Sequence, residues 1–305
     1  MKFNWVRQGL IFKPDPSYEW MQTHAMLPTL EKITNSLYRI YYGSRNSANQ
    51  SHIGFFDFDL NEMRITRQLD KPILIPGKLG TFDDNGVLPS SILHIDDTKY
   101  MYYIGFKPGG TTRMDLFGGI SVFATEDSLE RYSQAPIIER NRVNPYINTA
   151  PFVIKNHLND APKYFMYYVA GCEWIHKDLP KYNIQVAVSD NGLDWKRDGK
   201  VCINFKDDSE VALARPFVMW HNNKYHMWFS YKGNSYNIGY ATSSNGIDWE
   251  RQDEIGGFIK SSNEQDFDSE MVEYGYIAYY DAKYYMFYNG NNYGSGGIGV
   301  AIAHE

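Results

Sequence analysis

The residues able to do chemistry in this chain gather in short stretches, each leading to a proline or its equivalent. They are Thr23-His24-Ala25-Met26-Leu27-Pro28; Phe82-Asp83-Asp84-Asn85-Gly86-Val87-Leu88-Pro89; Asn144 to Pro151; Asp207-Asp208-Ser209-Glu210 on to Arg215-Pro216; and Asp266-Phe267-Asp268-Ser269-Glu270 on to Glu273-Tyr274. Three of the five bring carboxylates and one brings an arginine. Carboxylates converging on a pocket split into a proton donor and a base or nucleophile, because like charges push their pKa values apart. Asp84, Glu210 and Glu270 are therefore the candidate acid/base set. His24, Asp83, Arg215 and Glu273 are candidate substrate-binding groups.

Each candidate has a plainer reading. Asp83-Asp84-Asn85-Gly86 has the composition of a turn, whereas Glu210 precedes an apolar run and has no turn duty. Arg215 stands between Ala212-Leu213-Ala214 and Pro216-Phe217-Val218, so its charge needs a partner. That partner is either a structural ion pair, with Glu273 available, or a bound anion or hydroxyl. His24 alone fits a hydrogen-bonded turn residue. A second ring of polar residues follows the next strands: Arg45-Asn46, Lys107, Glu173-Trp174-Ile175-His176, Lys232 and Asn289 to Asn292. Glu173 and Trp174 form a candidate sugar platform, where an aromatic face meets the C–H face of a ring. His, Cys and Asp spacing fits no zinc motif, so neither a metal nor another cofactor is expected.

The elements that must position these residues repeat. Tyr182 to Trp195 matches Tyr236 to Trp249, 54 residues on. In both, an Asn-Gly pair (Asn191-Gly192, Asn245-Gly246) fixes a tight turn by accepting positive φ. Taking Ile40, Met101, Met166, Met227 and Met286 as equivalent, the steps are 61, 65, 61 and 59 residues. Periods of this length made of short strands predict an all-β fold, a five-bladed β-propeller with residues 1–305 as a single domain. Outer strands are expected at Ile73-Leu74-Ile75, Pro136-Ile137-Ile138, Val201-Cys202-Ile203 and Phe258-Ile259. The fifth copy lacks one. Trp5-Val6-Arg7 has the spacing of Trp195-Lys196-Arg197 and Trp249-Glu250-Arg251, so the N-terminal strand is expected to pair with the last blade and close the ring.

Composition narrows the function further. A net charge of −6 leaves no basic footprint for nucleic acid. No apolar run is long enough for a signal peptide or a membrane span, which predicts a cytoplasmic protein without membrane contacts. Cys172 and Cys202 are expected as two buried free thiols. The aromatic share of 16% suits wide, flat contacts between blades.

With its proline-led inner strands, Tyr-rich second strands and Ser-x-Asn-Gly-x-Asp-Trp turns, the chain resembles the five-bladed propeller glycoside hydrolases, among them families 43, 62, 32, 68 and 130. The resemblance implies a carbohydrate-active enzyme that cleaves or transfers a glycosidic bond in the central funnel. Its substrate would be a saccharide, and Arg215 hints at an anionic one. Family 43 sets an Asp directly before the inner-strand proline of early blades. Here Leu27, Leu88, Ala150 and Arg215 occupy those places, so the carboxylates would have moved to blades two, four and five. A pair about 5 Å apart would imply retention of configuration, and about 6.5–9.5 Å inversion. Without such a pair the alternative is a non-catalytic glycan-binding propeller. A protein-interaction propeller would need an apolar top face, which these polar loops do not supply.

Overall fold

Runs of β-branched and aromatic residues broken by Gly, Asn, Asp and Pro favour short strands joined by tight turns. A computed structural model describing residues 2–158 and 161–305 is built of such strands. After β1 (Val6–Phe12) comes a meander of β2 (Thr23–Lys32), β3 (Leu37–Arg45), β4 (Ser51–Asp59) and β5 (Arg64–Gln68), each antiparallel to the next. The order recurs in β6 (Gly86–Ile95), β7 (Thr98–Pro108), β8 (Met114–Thr125) and β9 (Ser128–Arg131). It recurs again in β10 (Asn148–Lys155), β11 (Tyr164–His176), β12 (Leu179–Ser189) and β13 (Lys196–Ile203). A further copy is β14 (Ala212–His221), β15 (Lys224–Lys232), β16 (Tyr236–Ser243) and β17 (Glu250–Arg251). Finally β18 (Glu273–Tyr280), β19 (Lys283–Asn289) and β20 (Ile298–His304) take β1 as their fourth strand, with Val6 opposite Ile302. The Trp5-x-Arg7 spacing predicts this pairing.

The first strands of the groups touch in succession: β2 with β6, β6 with β10, β10 with β14, β14 with β18, and β18 with β2 again. The third strand of a group makes a short parallel bridge to the first strand of the next, as at Ser51–Gly86, Phe117–Asn148 and Tyr182–Ala212. Most expected outer strands lie elsewhere. Leu74, Ile138 and Phe258 make isolated bridges to Ile53, Gly118 and Ile238, while β5, β9 and β17 fill the outer places nearer the preceding turn. These three apolar side chains are buried, and each segment adds a single bridge to the third strand in place of a continuous outer strand. Only Val201-Cys202-Ile203 falls inside an outer strand, β13. Cys202 is buried and Cys172 exposed, both as free thiols. The latter corrects the expectation of two buried ones, since Cys172 sits at a register shift where β11 leaves the core.

Every first strand carries a bulge, seen as a register shift against its neighbour. At four of these Leu27, Ala150, Arg215 and Tyr274 hold φ of 54°, 50°, 50° and 62°, a left-handed conformation that costs non-glycine residues about 1–3 kcal/mol each. A bulge re-aims the side chains on either side of it. Leu27 and Ala150 thereby join Met26, Ile104, Val169 and Ala214 in an apolar cluster where the groups meet.

Candidate functional site

One cavity, about 260 Å³, draws lining residues from all the strand groups. Its apolar side is formed by Met26, Leu27, Leu88 and Leu116. Four phenols face it: Tyr182, Tyr236, Tyr274 and Tyr293. The Tyr182 and Tyr236 hydroxyls share a 2.7 Å hydrogen bond, and the Tyr236 ring lies 6.4 Å from that of Tyr274 and 6.1 Å from that of Tyr293. Tyr182 and Tyr236 are the matching first residues of the repeated segment, so the repeat that builds the fold also builds this wall. Three cations line the cavity: Arg45 at the end of β3, Arg113 between β7 and β8, and Lys232 at the end of β15. Its lining carboxylate is Asp178, exposed on the β11–β12 turn.

Glu273 stands directly behind the phenols. It is fully buried, and neither carboxylate oxygen makes a hydrogen bond of good geometry. Burial raises its pKa to about 8, although the Tyr274 hydroxyl, the Lys232 ammonium and the Tyr293 backbone lie near enough to pull it down in part. The carboxyl is therefore largely protonated at neutral pH. Burial also raises the pKa of Tyr182, to about 12, with Tyr293 and Glu273 adding to the rise and the bond from Tyr236 opposing it. Tyr274 is pushed well above the usual phenol range by burial and then by the Glu273 charge.

The three carboxylates proposed from sequence as an acid/base set do not meet here. Asp84 accepts the Gly80 backbone N–H at 2.8 Å and serves a turn. Glu210 is buried in a bidentate pair with Arg251, both bonds 2.7 Å. Glu270 is exposed at the surface. None of them lines the cavity. Asp83 is also occupied, accepting from Tyr103 at 2.9 Å and Arg131 at 2.8 Å. Asp83 and Glu210 share a reason: the loop before the first strand turns each acid back toward an arginine of its own group.

Arg215 is buried but does not pair with Glu273. It reaches instead to β2 and β6, donating to the Thr29 hydroxyl and the Ser90 carbonyl at 2.6 Å each and to the Pro28 carbonyl at 3.2 Å. Burial without a carboxylate partner lowers its pKa to about 10. It ties strands together and takes no part in the cavity lining. His24 is half-buried, bonded to the Thr23 hydroxyl at 2.9 Å, and burial followed by the Arg45 charge lowers its pKa to about 4. Glu173 is exposed, and Trp174 lies opposite Pro180 on a hairpin whose Asp178, Leu179 and Pro180 line the cavity while Trp174 does not. Of the second ring, Arg45 and Lys232 do line it. Arg113 and Asp178 carry no sequence signal, since each lies in a turn whose aim only the packed sheets decide.

In fold the chain is similar to solved β-propeller hydrolases. Solved structures of similar shape include a glycoside hydrolase (TM-score 0.76, 18% identity, 99% of this chain and 91% of that one). A glycosyl hydrolase from Bacteroides ovatus (TM-score 0.74, 13% identity, 99% and 94%) and a thermostable family-43 glycoside hydrolase (TM-score 0.64, 17% identity, 95% and 92%) share it too. No protein-family model matches the chain. In sequence it is 32% identical over 300 residues to the uncharacterized protein Rv1502 of Mycobacterium tuberculosis strain H37Rv, covering 98% of both chains, and equally to the uncharacterized protein MT1551 of strain CDC 1551. The chain belongs to the family of these two mycobacterial proteins.

Proposed function

We propose that this protein is a carbohydrate-active enzyme acting on a glycosidic bond in the cavity, on a single-domain propeller of five blades closed by β1. The circular succession of first-strand contacts and the β1–β20 pairing support the ring. The observation that carries the chemistry is Glu273, a buried, unpartnered carboxyl held behind a wall of phenols. A carboxylic acid kept neutral at pH 7 is a proton donor. Because Glu273 does not itself line the cavity, its proton would reach the glycosidic oxygen by way of Tyr274, its neighbour in the chain and a lining residue. The leaving group departs as an alcohol, and water takes its place on the sugar. The surplus proton of that water returns through Tyr274 to the Glu273 carboxylate, restoring the acid. Tyr182 and Tyr236, fixed by their mutual bond, would orient the sugar hydroxyls.

The second reading, a glycan-binding propeller without turnover, is favoured by one fact. Among the described residues, the cavity offers beside Glu273 the exposed Asp178 alone, not a pair of buried carboxyls. Aryl-glycoside hydrolysis and sugar binding, measured on wild type, Glu273→Gln and Tyr274→Phe, separate the two. Turnover that falls about 10²-fold or more in both variants while sugar binding persists establishes the enzyme. Binding with no turnover in wild type establishes the lectin-like reading and removes the proton relay.

A further inference from the structure

Arg45, Arg113 and Lys232 come from three different strand groups, and the turns and strand ends that carry them point into one small cavity. Among the described residues, the three cations form no ion pair with an Asp or Glu within 4.0 Å, whereas Arg7, Arg39, Arg131 and Arg251 each do. Arg45 bonds only a neutral group, the Asn49 side chain, at 3.1 Å. Lys232 stands over the Tyr236 ring, its Nζ 5.5 Å from the centroid. Gathering like charges around one partly enclosed space without counter-ions is costly, since they repel one another and the more buried of them, Arg45, also loses water. Burial lowers the pKa of Arg45; Tyr274 opposes that in part, and the charge of Arg113 adds to it. The negative charges present offset little of this. Asp178 is exposed and lies 3.9 Å from Lys177, and Glu273 is largely protonated at neutral pH. What the arrangement lacks is an anion.

Resting on the carbohydrate reading above, we infer that the saccharide bound in this cavity carries a negatively charged oxygen group, a carboxylate or a phosphate ester, held by Arg45, Arg113 and Lys232. Guanidinium groups offer two parallel N–H donors to either group, and a lysine adds a point charge. The phenols face the uncharged hydroxyls, and Met26, Leu27 and Leu88 face the apolar side of the ring.

The test titrates the full chain with glucose, glucuronic acid, glucose 1-phosphate and inorganic phosphate. Wild type, Arg113→Ala, Arg113→Lys and Lys232→Met are compared at low and high salt, with thermal melts to show that the variants fold. Arg113 is exposed, so its replacement leaves the packing intact. The expected result is that one charged sugar binds about tenfold or more tightly than glucose. That preference falls by about tenfold in Arg113→Ala and Lys232→Met, returns in part in Arg113→Lys, and shrinks as salt rises. Whichever charged sugar binds better identifies the group. If glucose binds as tightly as its charged relatives and the variants match wild type, the charge inference is overturned and the carbohydrate reading stands. If phosphate binds through these residues but no sugar does, the anion site stands and the carbohydrate reading falls. If wild type binds none of the four, both fall.

Discussion

Arg131, Arg251 and Arg7 each reach from the outermost strand of a group to a buried carboxylate in the loop before that group's first strand. The partners are Asp83, Glu210 and Asp268, at 2.8, 2.7 and 2.8 Å. In the β10–β13 group the same place is taken by Asn144, which donates to Gln185 at 2.8 Å and accepts from the Tyr168 hydroxyl at 3.0 Å. These contacts anchor the loops that frame the cavity, so their acids are spent on structure. Arg251→Ala should destabilise the protein by about 3–5 kcal/mol in urea unfolding, because it strands a buried carboxylate. Glu210→Gln should keep its specific activity; a loss comparable with that of Glu273→Gln would return Glu210 to the chemistry. Glu273 behaves in the opposite way. Its folded pKa of about 8 lies above the ordinary 4.5, so the folded state holds a proton that the unfolded state gives up. That contribution to stability is complete below about pH 4.5 and is lost as pH rises through about 8. Thermal melts of Glu273→Gln should lack this fall between pH 4.5 and 8. Wild-type activity should also drop above about pH 8, where the proton to be donated is gone.

The Ser-x-Asn-Gly-x-Asp-Trp turn is a latch between neighbouring groups. Ser243 Oγ accepts the N–H groups of Asn245 and Gly246, and Asn245 Oδ1 accepts those of Ile247 and Asp248. Ser189 and Asn191 repeat the pattern. With its own turn satisfied, the glycine carbonyl is free to accept from the preceding group: Gly246 from the Tyr167 hydroxyl at 2.8 Å and Gly192 from that of Tyr102. Gly246 holds φ of 76°, and a Cβ there would meet Phe165 at 2.9 Å. Gly246→Ala should therefore cost about 1–3 kcal/mol, and Tyr167→Phe about 1 kcal/mol through the lost hydrogen bond. Denaturant midpoints measure both. An unchanged midpoint in Gly246→Ala would show that the latch contributes nothing.

At the scale of the whole molecule, the N-terminal segment supplies the missing fourth strand of the last group and a plug beside it. Phe3 packs edge-on against Trp228, Tyr240 and Tyr284, with ring centroids 5.3, 5.4 and 4.9 Å away, and stacks on Trp5 at 5.6 Å. Arg7 adds its ion pair to Asp268 and sits 4.4 Å over the Phe258 ring. Phe3→Ala should cost about 3–5 kcal/mol. Removing residues 1–12 should leave β20 as an open edge and yield aggregates in size-exclusion chromatography. A monomeric, fully cooperative truncated protein would show that β1 is dispensable.

The sequence alone determined the strand repeat, the pairing of β1 with β20 and the tight Asn-Gly turns. Each depends on local periodicity or on residue types with few backbone alternatives, and those survive in one dimension. It also held the Trp-x-Arg spacing whose arginines, in β1 and β17, silence two of the acidic loops, at Asp268 and Glu210. Which way an acid turns was decided only by the tertiary structure. Glu210 and Asp83 face their own outer strands, whereas Glu273, one residue before a bulge, is carried inward and buried without a partner. Arg45, Arg113 and Lys232 are far apart in the chain, and their convergence on one cavity follows from how the groups are arranged around it. Burial and proximity set the protonation of Glu273 and the charge of the cavity, and both are properties of the packed molecule.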